Sequence, residues 1–219
     1  MKKIIYIVII IAIILSIYIL KNYNEGKIVM NNSKKIEKIW DKMFEYWKKI
    51  ESKPYCNKAT NEEIEKFQKT LKLELPNSFV NSLKICNGEK IDILYEKKYN
   101  DLIENNPYED IKLGIIGLFD INKILEYRYI AEDTPNDWIP LAYWYGAYVA
   151  ILDTRKDTFG QVLLGVEELG VYKVWANNYE EWLEIVSNEV IKNGEIKEEF
   201  LEKIYNNKNL KEYHYPDYK

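Results

Sequence analysis

The stretch ELPNSFVNSLKICNGE, residues 74–89, decides how this chain folds. Pro76 opens an apolar run that closes on Asn87-Gly88. A proline is tolerated in a first helical turn, where its missing N–H has no acceptor to lose. A glycine just past the end accepts positive φ, so the spacing predicts a short helix between them. Phe79, Val80, Leu83 and Cys86 then share one face. Such a helix builds a fold and carries no chemistry of its own.

Working outward, ATNEEIEKFQKTLKLEL (59–75) carries a helix start: Thr60 as N-cap, Glu63 as its capping-box partner, Ala59 and Ile64 in staple positions. Ile64, Phe67 and Leu71 face inward, and Glu62, Glu63 and Glu65 sit by the positive helix end as caps rather than catalysts. From Ser33 to about Glu51, Ile36, Trp40, Met43, Trp47 and Ile50 recur at helical spacing. IDILYE (91–96) and LGIIGLF (113–119) read as strands, and Asp120 caps a helix running to about Tyr129.

DWIPLAYWYGAYVAILD (137–153) and GQVLLGVE (160–167) read as consecutive strands around a turn in TRKDTFG, and GVYKVW (170–175) adds another. A helix follows in NNYEEWLEIVSNEVI, with Tyr179, Trp182, Leu183 and Val186 buried, and EIKEEFLEKIY (195–205) makes a last one. Helices, then strands, then helices predict an α+β fold, a largely antiparallel central sheet surrounded by helices. The domain spans 33–206, and 207–219 reads as a loose polar tail.

The first twenty residues are of another kind. Ile4 to Leu20 is an apolar run flanked by Lys2-Lys3 and Lys21, long enough for about 26 Å of helix against a hydrocarbon core of about 30 Å. The expectation is a retained single-pass membrane anchor, preferred over a cleaved signal peptide because no small-x-small site follows. Residues 21–32 form a tether. The lysines on the two flanks nearly cancel, which leaves the orientation open.

Composition narrows the function. The 219-residue chain is 47% hydrophobic, enough for a well-filled core. Its net charge of -4 and only two arginines, Arg128 and Arg155, argue against nucleic acid as a partner. Cys56 and Cys86 have no metal-ligand or redox-motif spacing. Cys86 reads as a core residue, and a bridge between the two depends on compartment and on geometry the sequence does not supply.

The single histidine, His214, lies in the polar tail, where no nucleophile–base site is expected. GIIG and GVEELG match neither GxGxxG nor a P-loop. Adjacent acidic pairs such as Glu180-Glu181 point apart on a helix and read as surface. No catalytic set, cofactor or metal is therefore expected. Two segments instead mix carboxylates with aromatics, as protein-recognition surfaces do, 99–110 and 131–138, and YWYGAY (143–148) adds a cluster in which strand alternation leaves some rings facing away from the core.

Taken in order, these motifs resemble the SUKH superfamily, that of the yeast cell-wall assembly and killer-toxin-resistance regulator and of many bacterial toxin-immunity proteins. The likeness covers about residues 55–186. It rests on Leu75-Pro76, Asn87-Gly88, Trp138 to Ala142, Leu152-Asp153 and the helix at Tyr179 to Leu183. Trp144-Tyr145-Gly146-Ala147-Tyr148 departs from it, standing where the family often has a small, acidic, Gly-rich turn. The resemblance implies an α+β domain that binds proteins and has no shared catalytic set. With the anchor, it points to a membrane-attached immunity protein that binds a toxin, with a cell-envelope assembly regulator as the alternative. The expected contact residues are Tyr108, Glu109, Asp110, Glu132, Asp133, Asp137, Trp144, Tyr145 and Tyr148.

Overall fold

The architecture is that of a computed structural model, which describes residues 33–50, 54–91, 116–130, 135–166 and 169–214, together with Ser16. The apolar run (Ser16 apart), the tether, most of IDILYE, residues 113–115, and Tyr108, Glu109, Asp110, Glu132 and Asp133 lie outside the described residues. Among the described residues, no helix is long and apolar enough to cross a membrane.

Helix α1 covers 33–49 and buries Ile36, Ile39, Trp40, Met43 and Trp47. β1 (Pro54–Cys56) leads into α2 (Asn61–Leu71) and α3 (Asn77–Ile85), and β2 (Glu89–Ile91) returns antiparallel to β1. The capping box at Thr60 is complete: Glu63 N–H donates to Thr60 Oγ1 at 3.2 Å, and Thr60 N–H donates to Glu63 Oε2 at 2.7 Å. Pro76 is the N-cap of α3, one position before the first turn, and Gly88 takes φ +75°.

Asn87-Gly88 does more than end a helix. Asn87 Oδ1 accepts from Ile121 N–H at 3.0 Å, so it helps to cap α4 (Ile121–Ile130). A Cβ on Gly88 would stand 2.4 Å from the Asp120 backbone nitrogen, so the two segments meet where only glycine fits. Asp120 Oδ1 accepts from Lys123 N–H at 2.8 Å, the expected N-cap.

β3 (Trp138–Trp144), β4 (Tyr148–Asp153), β5 (Val162–Val166), β6 (Val171–Ala176) and β7 (Glu212–His214) form one antiparallel sheet in sequence order. Pro140 fits β3 because that strand is at an edge, touched on its outer side by the Leu118–Ala142 bridge. Helices α5 (Tyr179–Asn193) and α6 (Glu198–Tyr205) pack over β5 and β6. A buried hub links α1, α3 and α5: Trp40 Nε1 and Tyr179 Oη both donate to Ser82 Oγ, each at 2.9 Å.

The two faces of the sheet are filled differently among the described residues. One face joins the large helical core, whereas the other packs Trp138, Val149, Ile151, Leu163, Tyr172 and Tyr213, all from strands, with Tyr143 at its margin against Tyr127 of α4. One expectation changes here: residues 212–214 are not a loose tail. Tyr213 is 2% exposed against that second cluster while Glu212 and His214 point out, so a period-two burial pattern in a polar segment adds a strand.

Candidate functional site

β3 and β4 meet in the turn Trp144-Tyr145-Gly146-Ala147, closed by Ala147 N–H donating to Trp144 O at 3.1 Å. Both central residues have positive φ, 53° at Tyr145 and 67° at Gly146. For glycine this is free, whereas for tyrosine it costs about 1–2 kcal/mol. The Tyr145 hydroxyl donates to Ile196 O at 2.7 Å and fixes the ring, which stays 50% exposed. Nothing lies within 4 Å of a Cβ built on Gly146, so the tip is open to solvent.

The flanking aromatics have inward duties. Trp144 Nε1 donates to Ile116 O at 2.9 Å, and its ring meets Trp175 edge-on at 5.9 Å. Tyr148 is buried and lies edge-on to Tyr205 at 6.4 Å. Tyr145 is thus the aromatic of this turn offered outward.

Helix α6 stands beside the turn because Gly194 (φ 89°) ends α5, and buried Ile196 and Leu201 pull the chain back onto the core. This brings the exposed Glu195, Glu198 and Glu202 near the tyrosines. Burial raises the pKa of the Tyr145 phenol, with the charges of Glu195 and Glu198 adding. Burial likewise raises that of Tyr148, reinforced by Glu202 and Glu198. Sequence reasoning missed these three glutamates; their i, i+3 and i, i+4 spacing over 195–202 was the available signal.

Asp137 lies at the other end of β3, about 20 Å away for a strand of this length. It is half-buried, near Arg128, whose Nη2 donates to Asn136 O at 2.7 Å. That end is organised by Asp153, wholly buried at the close of β4. Its carboxylate accepts from Arg155 N–H at 3.0 Å, Arg155 Nε at 2.9 Å and Thr158 Oγ1 at 2.8 Å, and forms an ion pair with Arg155 Nη2. The guanidinium lies 5.3 Å from the Trp138 ring and 5.2 Å from the Tyr213 ring.

A third feature is a cleft of about 470 Å³ bordered by Glu89, Asp120, Lys123 and Glu126. Glu89 Oε2 accepts from the backbone N–H groups of Ile116, Gly117 and Leu118 at 2.8, 2.8 and 3.2 Å. Oε1 is shielded from solvent and has no hydrogen-bond partner among the described residues. Burial outweighs the three donors and pushes the carboxyl up to about 7. The carboxylate pins β2 to the segment before α4.

The profile of the SMI1 / KNR4 family (SUKH-1) matches residues 58–185, more than half of the chain. The chain belongs to this family. No curated protein matches it as a relative. Within the matched span, Asn87 caps α4, Gly88 permits close approach to Asp120, and Asp153 orders the β4–β5 turn. The match ends before α6, so Glu195, Glu198 and Glu202 lie beyond the SUKH-1 profile, and Tyr145 lies inside it. Among the described residues, no three His, Cys, Asp or Glu side chains converge as a metal site requires.

Proposed function

We propose that this SUKH-1 chain is a non-enzymatic protein-binding domain that neutralises a toxin by direct contact, held at a membrane by the apolar run Ile4 to Leu20. One observation carries the reading. An exposed tyrosine is locked in a strained turn beside the carboxylates of Glu195 and Glu198, a preorganised anchor for a basic protein surface. Family membership supports it, because the domain is shared with immunity proteins and with cell-wall regulators. The charge of -4 favours a partner of opposite sign. In this reading Trp144 and Tyr148 support the turn from below, and Asp137 belongs to a separate patch at the far end of β3.

The test is co-purification of tagged full-length protein from detergent-solubilised native cells, followed by expression of each recovered chain alone. The expected result is a stoichiometric chain that stops growth by itself, is relieved by this protein, and is not relieved by the Tyr145→Ala variant. Recovery of wall-synthesis proteins only, with an envelope defect on deletion in the absence of any toxin, would establish the envelope regulator instead.

A further inference from the structure

We infer that this domain folds and works on the oxidising side of a membrane, outside the cytoplasm, and that its partner is one met there. The observation is the bridge between Cys56 and Cys86. These are the only two cysteines of the chain, and both are used.

The backbone delivers the two sulfurs independently of the bond. Ala59 N–H donates to Leu83 O at 2.9 Å, and Asn87 N–H donates to Asn57 O at 2.6 Å. These bonds fall before and after Cys86 and just after Cys56, and lace the segment before α2 to the end of α3. The β1–β2 pairing puts Cys56 opposite Glu89. The resulting Cα–Cα distance is 4.8 Å, inside the range a disulfide requires. Cys86 is 2% exposed and Cys56 half-buried, so the bridge is a structural part of the core edge.

Disulfides that hold structure form and persist in extracytoplasmic compartments, whereas the cytoplasm keeps thiols reduced. The chemistry balances with an oxidant of that compartment. The two thiols lose two protons and two electrons and form one S–S bond, and an acceptor disulfide on an oxidoreductase or a small molecule becomes two thiols. The consequence for the partner rests on the proposed binding function. A toxin acting on the wall or on the outer membrane surface is met in this compartment, and one acting on cytoplasmic nucleic acid is not.

The experiment uses the full-length chain in its native cells. Cells are quenched in acid, and the protein is alkylated with a mass-tagged maleimide with or without prior reduction. A parallel sample of intact cells receives a membrane-impermeant reductant followed by an impermeant maleimide. The expected result is no tag before reduction, two tags after it, and tagging by the impermeant pair. Two tags on most chains without reduction, or protection from the impermeant pair until the membrane is opened, would overturn the inference. Cys56→Ala and Cys86→Ala variants, each expected to take one tag without reduction, check the assignment. Free thiols in a chain that still relieves toxicity would sink the location alone; an intact bridge without any partner would sink the binding function alone.

Discussion

The two ends of the β3–β4 hairpin are built from similar residues to opposite purposes. At the Asp153 end, a carboxylate, a guanidinium and aromatic rings turn inward and bond one another. At the Tyr145 end, an aromatic ring turns outward beside the exposed carboxylates of Glu195 and Glu198, with Glu202 by the neighbouring Tyr148. Charge and aromaticity therefore do not mark a binding surface by themselves. What differs is burial: Asp153 is closed from solvent, whereas the Tyr145 ring is half exposed although its hydroxyl bonds Ile196 O.

The sharpest way to break this contrast is Asp153→Ala. It removes the buried carboxylate that pairs with the Arg155 guanidinium and accepts from Arg155 N–H and Thr158 Oγ1, and the expected loss in urea unfolding is about 3–5 kcal/mol. A loss under about 1 kcal/mol would mean that the buried pair does not hold this end together.

Next in size is the bridge beside the helical hairpin, remote from both ends. Its cysteines are 30 residues apart, and reduction is expected to cost about 3.5 kcal/mol through regained unfolded-chain entropy. Comparing oxidised and reduced unfolding midpoints measures it. If reduction also weakened partner binding by the folded domain, the Tyr145 end would not be the independent unit described.

Glu89 gives an effect of about 3 kcal/mol that depends on pH. The folded carboxyl titrates near 7 against an ordinary 4.5, so the folded state holds the proton more tightly. The stability that Glu89 contributes is therefore full below about 4.5 and is lost as pH rises through about 7. Unfolding between pH 4.5 and 8 should show that slope, and Glu89→Gln should flatten it without touching either end of the hairpin.

The smallest structural effect and the most specific functional one belong to Tyr145. Tyr145→Ala removes the bond to Ile196 and leaves the residue at positive φ, so stability should fall by about 1 kcal/mol. Partner affinity should fall by about 2 kcal/mol, some 30-fold in Kd. Equal losses in stability and binding would erase the distinction between the two ends.

Much of the helical frame was legible because its signals are local. The Thr60–Glu63 box, the Asp120 cap and the stripe at Tyr179, Trp182, Leu183 and Val186 depend on residues a few positions apart. Asn87 and Gly88 were readable as a helix end. Their service to α4, more than 30 residues on, was not, because it exists only after the two segments have met. β7 was missed since Glu212-Tyr213-His214 offers one apolar residue to a periodicity search, and only Trp138, Tyr172 and Arg155 reveal its purpose. At the hairpin tip, aromatic content pointed to Trp144, Tyr145 and Tyr148 alike. Packing against Trp175 and Tyr205 separates the last two neighbours from Tyr145.

The turn at Tyr145 also limits how this surface can diversify. Its closure fixes the pairing of Trp144 with Tyr148 and, two steps inward, of Ala142 with Ala150 in the core. A substitution at 145 or 146 changes what is displayed and leaves that pairing alone. A single inserted residue would shift one strand by a step and send its core side chains to the opposite face. Variants of this protein adapted to different partners should therefore differ at the tip in residue type while keeping its length.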